Sequence, residues 1–163
     1  MDDKKINTAK ELIQRSTGEC SVYVGCDSKV FCQSGKNKVV KYHVTVWIHR
    51  NSKNGAYCVY KDFVTEPFYG NRSDINQRLL KEAELAAVVA AEIKQSVGNR
   101  TFQVHLDISS DDVNKSNQSY KAAEGYVYGI AGIKPNMKPD APAASYACDR
   151  SVKNKMIWDK SNA

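Results

Sequence analysis

The sequence contains no long apolar run, no paired-cysteine motif and only three histidines, and each shortage removes a class of protein. No window approaches the roughly 18 apolar residues of a membrane-spanning helix. The opening Met-Asp-Asp-Lys-Lys has no apolar stretch behind it, unlike a secretory signal, so a cytoplasmic location is expected. Five cysteines (Cys20, Cys26, Cys32, Cys58, Cys148) form no CxxC pair. Their odd number and wide spacing argue against a disulfide framework and a zinc site, leaving structural thiols. No glycine-rich phosphate loop is present, which disfavours a phosphotransferase. Nor is there an aromatic-rich basic stripe of the kind that marks single-strand binders. Internal repeats, linkers and low-complexity segments are missing too.

What remains is an ordinary soluble composition. The chain has 163 residues, 42% hydrophobic and 26% charged, enough for one domain with a real core. The expected division is an N-terminal helix over residues 1–18, a core over 19–153 and a tail over 154–163. A formal net charge of +6 permits a polyanionic partner without naming one.

Residues 6–15 carry Ile6, Ala9, Leu12 and Ile13 at helical spacing, and Gly18 is expected to close that helix. Residues 20–26, 38–50 and 56–64 are rich in β-branched and aromatic residues. The polar runs between them, with Asn54-Gly55 in the second, predict a three-strand antiparallel meander. The period then changes. Residues 74–97 contain no Gly or Pro and read as a long helix, capped by Ser73 or Asp74 and ended by Gly98. Residues 101–108 read as a buried strand, and the intervening helix favours a parallel pairing with one of the first three strands. A helix over residues 120–130, a short strand within 132–137 and a terminal helix opening at residues 138–145 complete an α/β domain.

Four carboxylates stand at the joints of this scheme. Asp27 and Asp107 each end a strand expected near the sheet centre, where side chains of open α/β sheets face a crevice. Glu82 borders the apolar stripe of the long helix formed by Leu79, Ala83, Ala86, Ala90 and Ile93, and a buried acid there needs a partner. Glu84 points away, to solvent. Asp140 begins the terminal helix. Carboxylates gathered without His or Cys suit Mg²⁺ or Mn²⁺. Two such ions about 3.5–4 Å apart would activate a water and stabilise the leaving oxygen of a phosphodiester. Each acid also has a plainer reading: a turn former at Asp27, a solvated helix residue at Glu82, caps at Asp107 and Asp140. Asp149 reads as a surface or supporting residue. His105 shares the face of Asp107, where a surface position on the strand is expected. Ser28, Lys115, Asn117 and Lys138 are the candidate contacts to a substrate phosphate.

Taken in order, Gly25-Cys26-Asp27-Ser28-Lys29, Arg78-Leu79-Leu80-Lys81-Glu82, His105-Leu106-Asp107-Ile108-Ser109 with Asn114-Lys115-Ser116-Asn117, and the run from Lys138 to Arg150 resemble the YkuK family of ribonuclease H-like proteins. The resemblance runs from about Val22 to Lys153. It implies a ribonuclease H-like fold, a mixed sheet of an antiparallel three-strand meander plus parallel strands with flanking helices. It also implies a two-metal nuclease site in which Asp27, Glu82 and Asp107 match the family's acids. Asp140 falls where relatives carry Glu or Asp, and Asp149 where they carry Asp or Asn. Lys29 in place of Gln, and Asp111 and Asp112 after the fourth strand, depart from the pattern. The expected function is metal-dependent hydrolysis of nucleic acid, whether RNA, DNA or a hybrid. The alternative is a non-catalytic nucleic-acid- or protein-binding module on the same fold, although a pure binder gains nothing from four acids facing an anionic ligand.

Overall fold

The computed structural model describes residues 2–32, 38–50, 55–70, 72–109, 117–138 and 140–141, with backbone alone for 72–75, 109, 117 and 118. Five strands form one sheet in the order β3-β2-β1-β4-β5. They are β1 (Ser21–Cys32), β2 (Lys38–His49), β3 (Ala56–Phe68), β4 (Thr101–Ser109) and β5 (Asn136–Lys138). β1–β2 and β2–β3 are antiparallel, giving the expected meander, and β1–β4 and β4–β5 are parallel. The helices are α1 (Asp3–Arg15), α2 (Arg72–Val97) and α3 (Asn117–Ala131). This is the expected mixed α/β architecture.

One face of the sheet carries the main core, and the centre of β2 is buried on both faces from Tyr42 to Ile48. Val22, Val24 and Cys26 of β1 lie level with Ile48, Val46 and Val44 of β2, and all six are buried. Val104, Leu106 and Ile108 continue that face on β4. α2 lies against β1, β4 and β2 and is flanked by α1 and α3. Its buried stripe, Ala83, Ala86, Ala87, Val89, Ala90, Ile93 and Val97, contains four alanines. Small side chains bring the helix axis close to the strands, and that approach decides how deep Glu82 sits.

Several boundaries differ from the sequence reading. β1 does not stop at Cys26, because β2 keeps pairing with it out to Cys32↔Lys38. α1 begins at Asp3, where Asp2 accepts from the Lys4 and Lys5 amides, and Ser16 in extended conformation ends it instead of Gly18. Lys138 belongs to β5 and does not open a helix, while residues 139 and 142–145 of the expected terminal helix lie outside the described residues. Arg100 donates to the carbonyls of Thr17, Ser16 and Val97, tying the end of α1 to the end of α2. Among the described residues no helix is long and apolar enough to cross a membrane. Cys20 and Cys26 are buried as expected of structural thiols, whereas Cys32 is exposed.

Candidate active site

The parallel ladder between β1 and β4 ends at the pair Cys26↔Leu106. The next residue on each strand is an aspartate, Asp27 on β1 and Asp107 on β4. The two acids therefore leave adjacent strands at one level, on the carboxyl edge where a sheet offers side chains to a ligand. Asp27 still pairs with His43 of β2, so its backbone is held from that side. Its carboxylate accepts from the Ser28 amide at 2.7 Å.

The third acid arrives from α2. Glu82 is only 2% exposed, and the Ser28 hydroxyl donates to its Oε1 at 2.5 Å. Alternation places Ser28 on the α2 side of β1, which lets the strand hold an acid of the helix. Arg78, one turn earlier, sets its Nε 3.9 Å from the same oxygen, beyond hydrogen-bonding reach. Burial pushes the Glu82 carboxyl up to about 8, and the charges of Asp27 and Asp107 push in the same direction. The Ser28 hydrogen bond and Arg78 oppose this without cancelling it. Glu82 is thus an acid that holds its proton at neutral pH unless a cation joins the cluster.

Lys138 brings a second positive charge to the acids. Its ammonium pairs with Asp107 Oδ1. That bond holds the Lys138 ammonium above the ordinary lysine value, with Asp107, Asp27 and Glu82 adding charge attraction. Three carboxylates therefore act on one side chain. Of the candidate substrate contacts, Lys138 is paired here with Asp107 and Ser28 is bonded to Glu82.

The donor set fits a hard divalent ion in its chemistry: all oxygen, three acids, one of them buried and without a full counter-charge. Among the described residues, no three acidic, His or Cys side chains close around a single point as ligands would, and Lys138 stands among the acids. Asp140, two residues beyond β5, is exposed and donates its amide to the Met137 carbonyl. No contact between it and the other three acids occurs among the described residues. Lys115, Asp111, Asp112 and Asp149 lie outside the described residues, as does the side chain of Asn117.

A scan of protein families matches residues 5–153 to the family described as ribonuclease H-like. The chain belongs to the ribonuclease H-like family. Neither the comparison with curated proteins nor that with solved structures returns a match.

His105 corrects the sequence reading. It is 2% exposed, its ring tilted against that of Tyr23 at 5.1 Å, and bonded to Gln103 at 2.9 Å. Burial pulls its imidazole down to about 4, so it is neutral structural material beneath Asp107. Glu84 matches expectation, half-exposed and 3.1 Å from Lys81. Sequence reasoning missed Arg78, although its four-residue spacing from Glu82 on one helix was a readable signal.

Proposed function

We propose that this ribonuclease H-like protein is a metal-dependent nuclease of the YkuK type, hydrolysing phosphodiester bonds in nucleic acid. The observation carrying this is that Asp27 and Asp107 leave adjacent strands at one level beside the buried Glu82, with the Lys138 ammonium paired to Asp107. An assembly that only needed stability would not bury an acid beside two others; leaving such charges together is costly unless a cation is meant to join them. Asp27, Glu82 and Asp107 would hold Mg²⁺ or Mn²⁺, with Asp140 as the remaining acid of the set. When bound, the ions would polarise a phosphoryl oxygen and make water a competent nucleophile at neutral pH.

The chain's own residues do the rest. Ser28 holds Glu82 in one orientation. Arg78 lies one turn back with its Nε facing the same carboxylate. Lys138, once its place at Asp107 is taken, is free to meet a substrate phosphate. No protein nucleophile is required.

The first test is calorimetric titration of Mn²⁺ into wild type, Asp27→Asn and Asp107→Asn. Binding to wild type that is lost in both variants is the expected result, followed by hydrolysis of RNA, DNA or hybrid in Mg²⁺ or Mn²⁺. Binding that survives both substitutions would place the metal elsewhere and sink the assignment.

A further inference from the structure

A groove of about 470 Å³ opens beside the acids, between the end of β3, α2 and α3. It shares walls with the site. Tyr42 lines the groove and pairs across the sheet with Ser28, and Arg78 lines it while facing Glu82. Phe68, Tyr69 and Tyr126 add three more rings. Tyr69 is 82% exposed and Tyr126 45% exposed, so two large rings stand at the rim without being used by the core.

The charges decide what fits. Glu66 and Glu84 oppose Arg78 and Lys81, two of each sign, so the described lining has no net charge. Lys81 is already engaged, 3.1 Å from Glu84 and 3.8 Å from Glu66. A phosphate finds no net attraction here. A nucleobase finds rings to stack on and carboxylate oxygens to accept from its amino groups. The volume lies within the usual range for a small-ligand site.

We propose that this groove takes one unstacked nucleobase of the strand whose phosphodiester lies at the acids. The inference rests on the nuclease reading and adds a substrate class: the strand is single, or unpaired on the α2 side. A paired base would have to leave its stack to enter, which costs a few kcal/mol.

The test is fluorescence anisotropy with the full chain, in Ca²⁺, on labelled RNA and DNA oligonucleotides presented as single strands and as duplexes. Tyr69→Ala and Tyr126→Ala change exposed rings and leave the core intact, and Tyr128→Ala, exposed on α3 outside the groove, is the control. Each groove variant is expected to weaken single-strand binding roughly 5- to 100-fold, with duplex binding and the control unchanged. Unchanged single-strand binding, or equal loss on duplex, overturns the groove. If Mn²⁺ still binds in an Asp27-dependent way in that case, the acid site stands without it. If wild type binds neither metal nor nucleic acid, both readings fall.

Discussion

At the level of single residues, the site is governed by one buried acid and one cation. Glu82 goes from an ordinary 4.5 to about 8 on folding. Between those values the folded chain holds a proton that the unfolded chain has released, so stability of the metal-free protein falls as pH rises. His43 and His105, both pulled down to about 4 chiefly by burial, act the other way. They make stability fall as pH drops below the ordinary histidine value of 6.5. From 6.5 to about 8 the Glu82 slope is therefore left largely unopposed by the histidines. Urea titrations in chelator across that window should lose about 1.4 kcal/mol per pH unit at most, and Glu82→Gln should flatten the slope. A slope unchanged in the variant would mean Glu82 is ionised throughout. Lys138 gives a second expectation. Its ammonium competes with a divalent ion for Asp107, so Lys138→Met should tighten Mn²⁺ roughly tenfold, the loss of one hydrogen bond between charged groups. On the nuclease reading it should also slow hydrolysis, because Lys138 would no longer meet the substrate phosphate. Calorimetry and a cleavage assay read the two effects separately, and weaker Mn²⁺ binding in the variant would refute the competition.

At the level of elements, the site depends on how closely α2 approaches the sheet. Ala86 is wholly buried one turn after Glu82, facing the strands. Leucine there adds volume that a close-packed interface cannot absorb, and overpacking of this kind costs about 1–3 kcal/mol. Ala86→Leu should lower the urea midpoint and also weaken Mn²⁺, since the turn carrying Glu82 moves with the helix. A drop in stability with metal affinity intact would show that Glu82 is placed by Ser28 alone. The same contact explains what the sequence made legible. The meander, the long helix and the parallel return strand were readable because β-branched runs and an alanine-rich periodic stretch differ sharply in period. Asp27 and Asp107 were readable as neighbours, since each follows a strand core in a parallel pair. Strand ends were harder. β1 runs on past Asp27 through Val30 and Phe31 because β2 is long enough to pair with it, and a partner's length is not written in a strand's own residues. His105 could be placed on a face, but whether that face is covered depends on the rest of the fold. Lys138 was hidden for a similar reason: its pairing with Asp107 needs β5 beside β4, a contact between segments about thirty residues apart.

At the level of the whole molecule, a net charge of +6 coexists with a cluster of acids at the point where a polyanion would have to dock. If nucleic acid is the partner, the basic surplus would draw it in from a distance and binding would fall with salt. On the nuclease reading, the acids would repel the phosphate at the site until a cation neutralised them. An enzyme and a pure binding module on this fold differ on that point. For the nuclease, chelation should weaken nucleic-acid binding, and Asp27→Asn with Asp107→Asn should restore it in chelator by removing the repulsion. A binding module that docks its ligand elsewhere should show neither effect. Anisotropy with and without Mn²⁺, repeated across a salt series, separates them. Lys138→Met should additionally reduce the slope of log affinity against log salt by about 1, the signature of one lost phosphate contact. If chelator and the double substitution both leave affinity untouched, the acids do not face the ligand, and the phosphodiester does not lie at Asp27, Glu82 and Asp107.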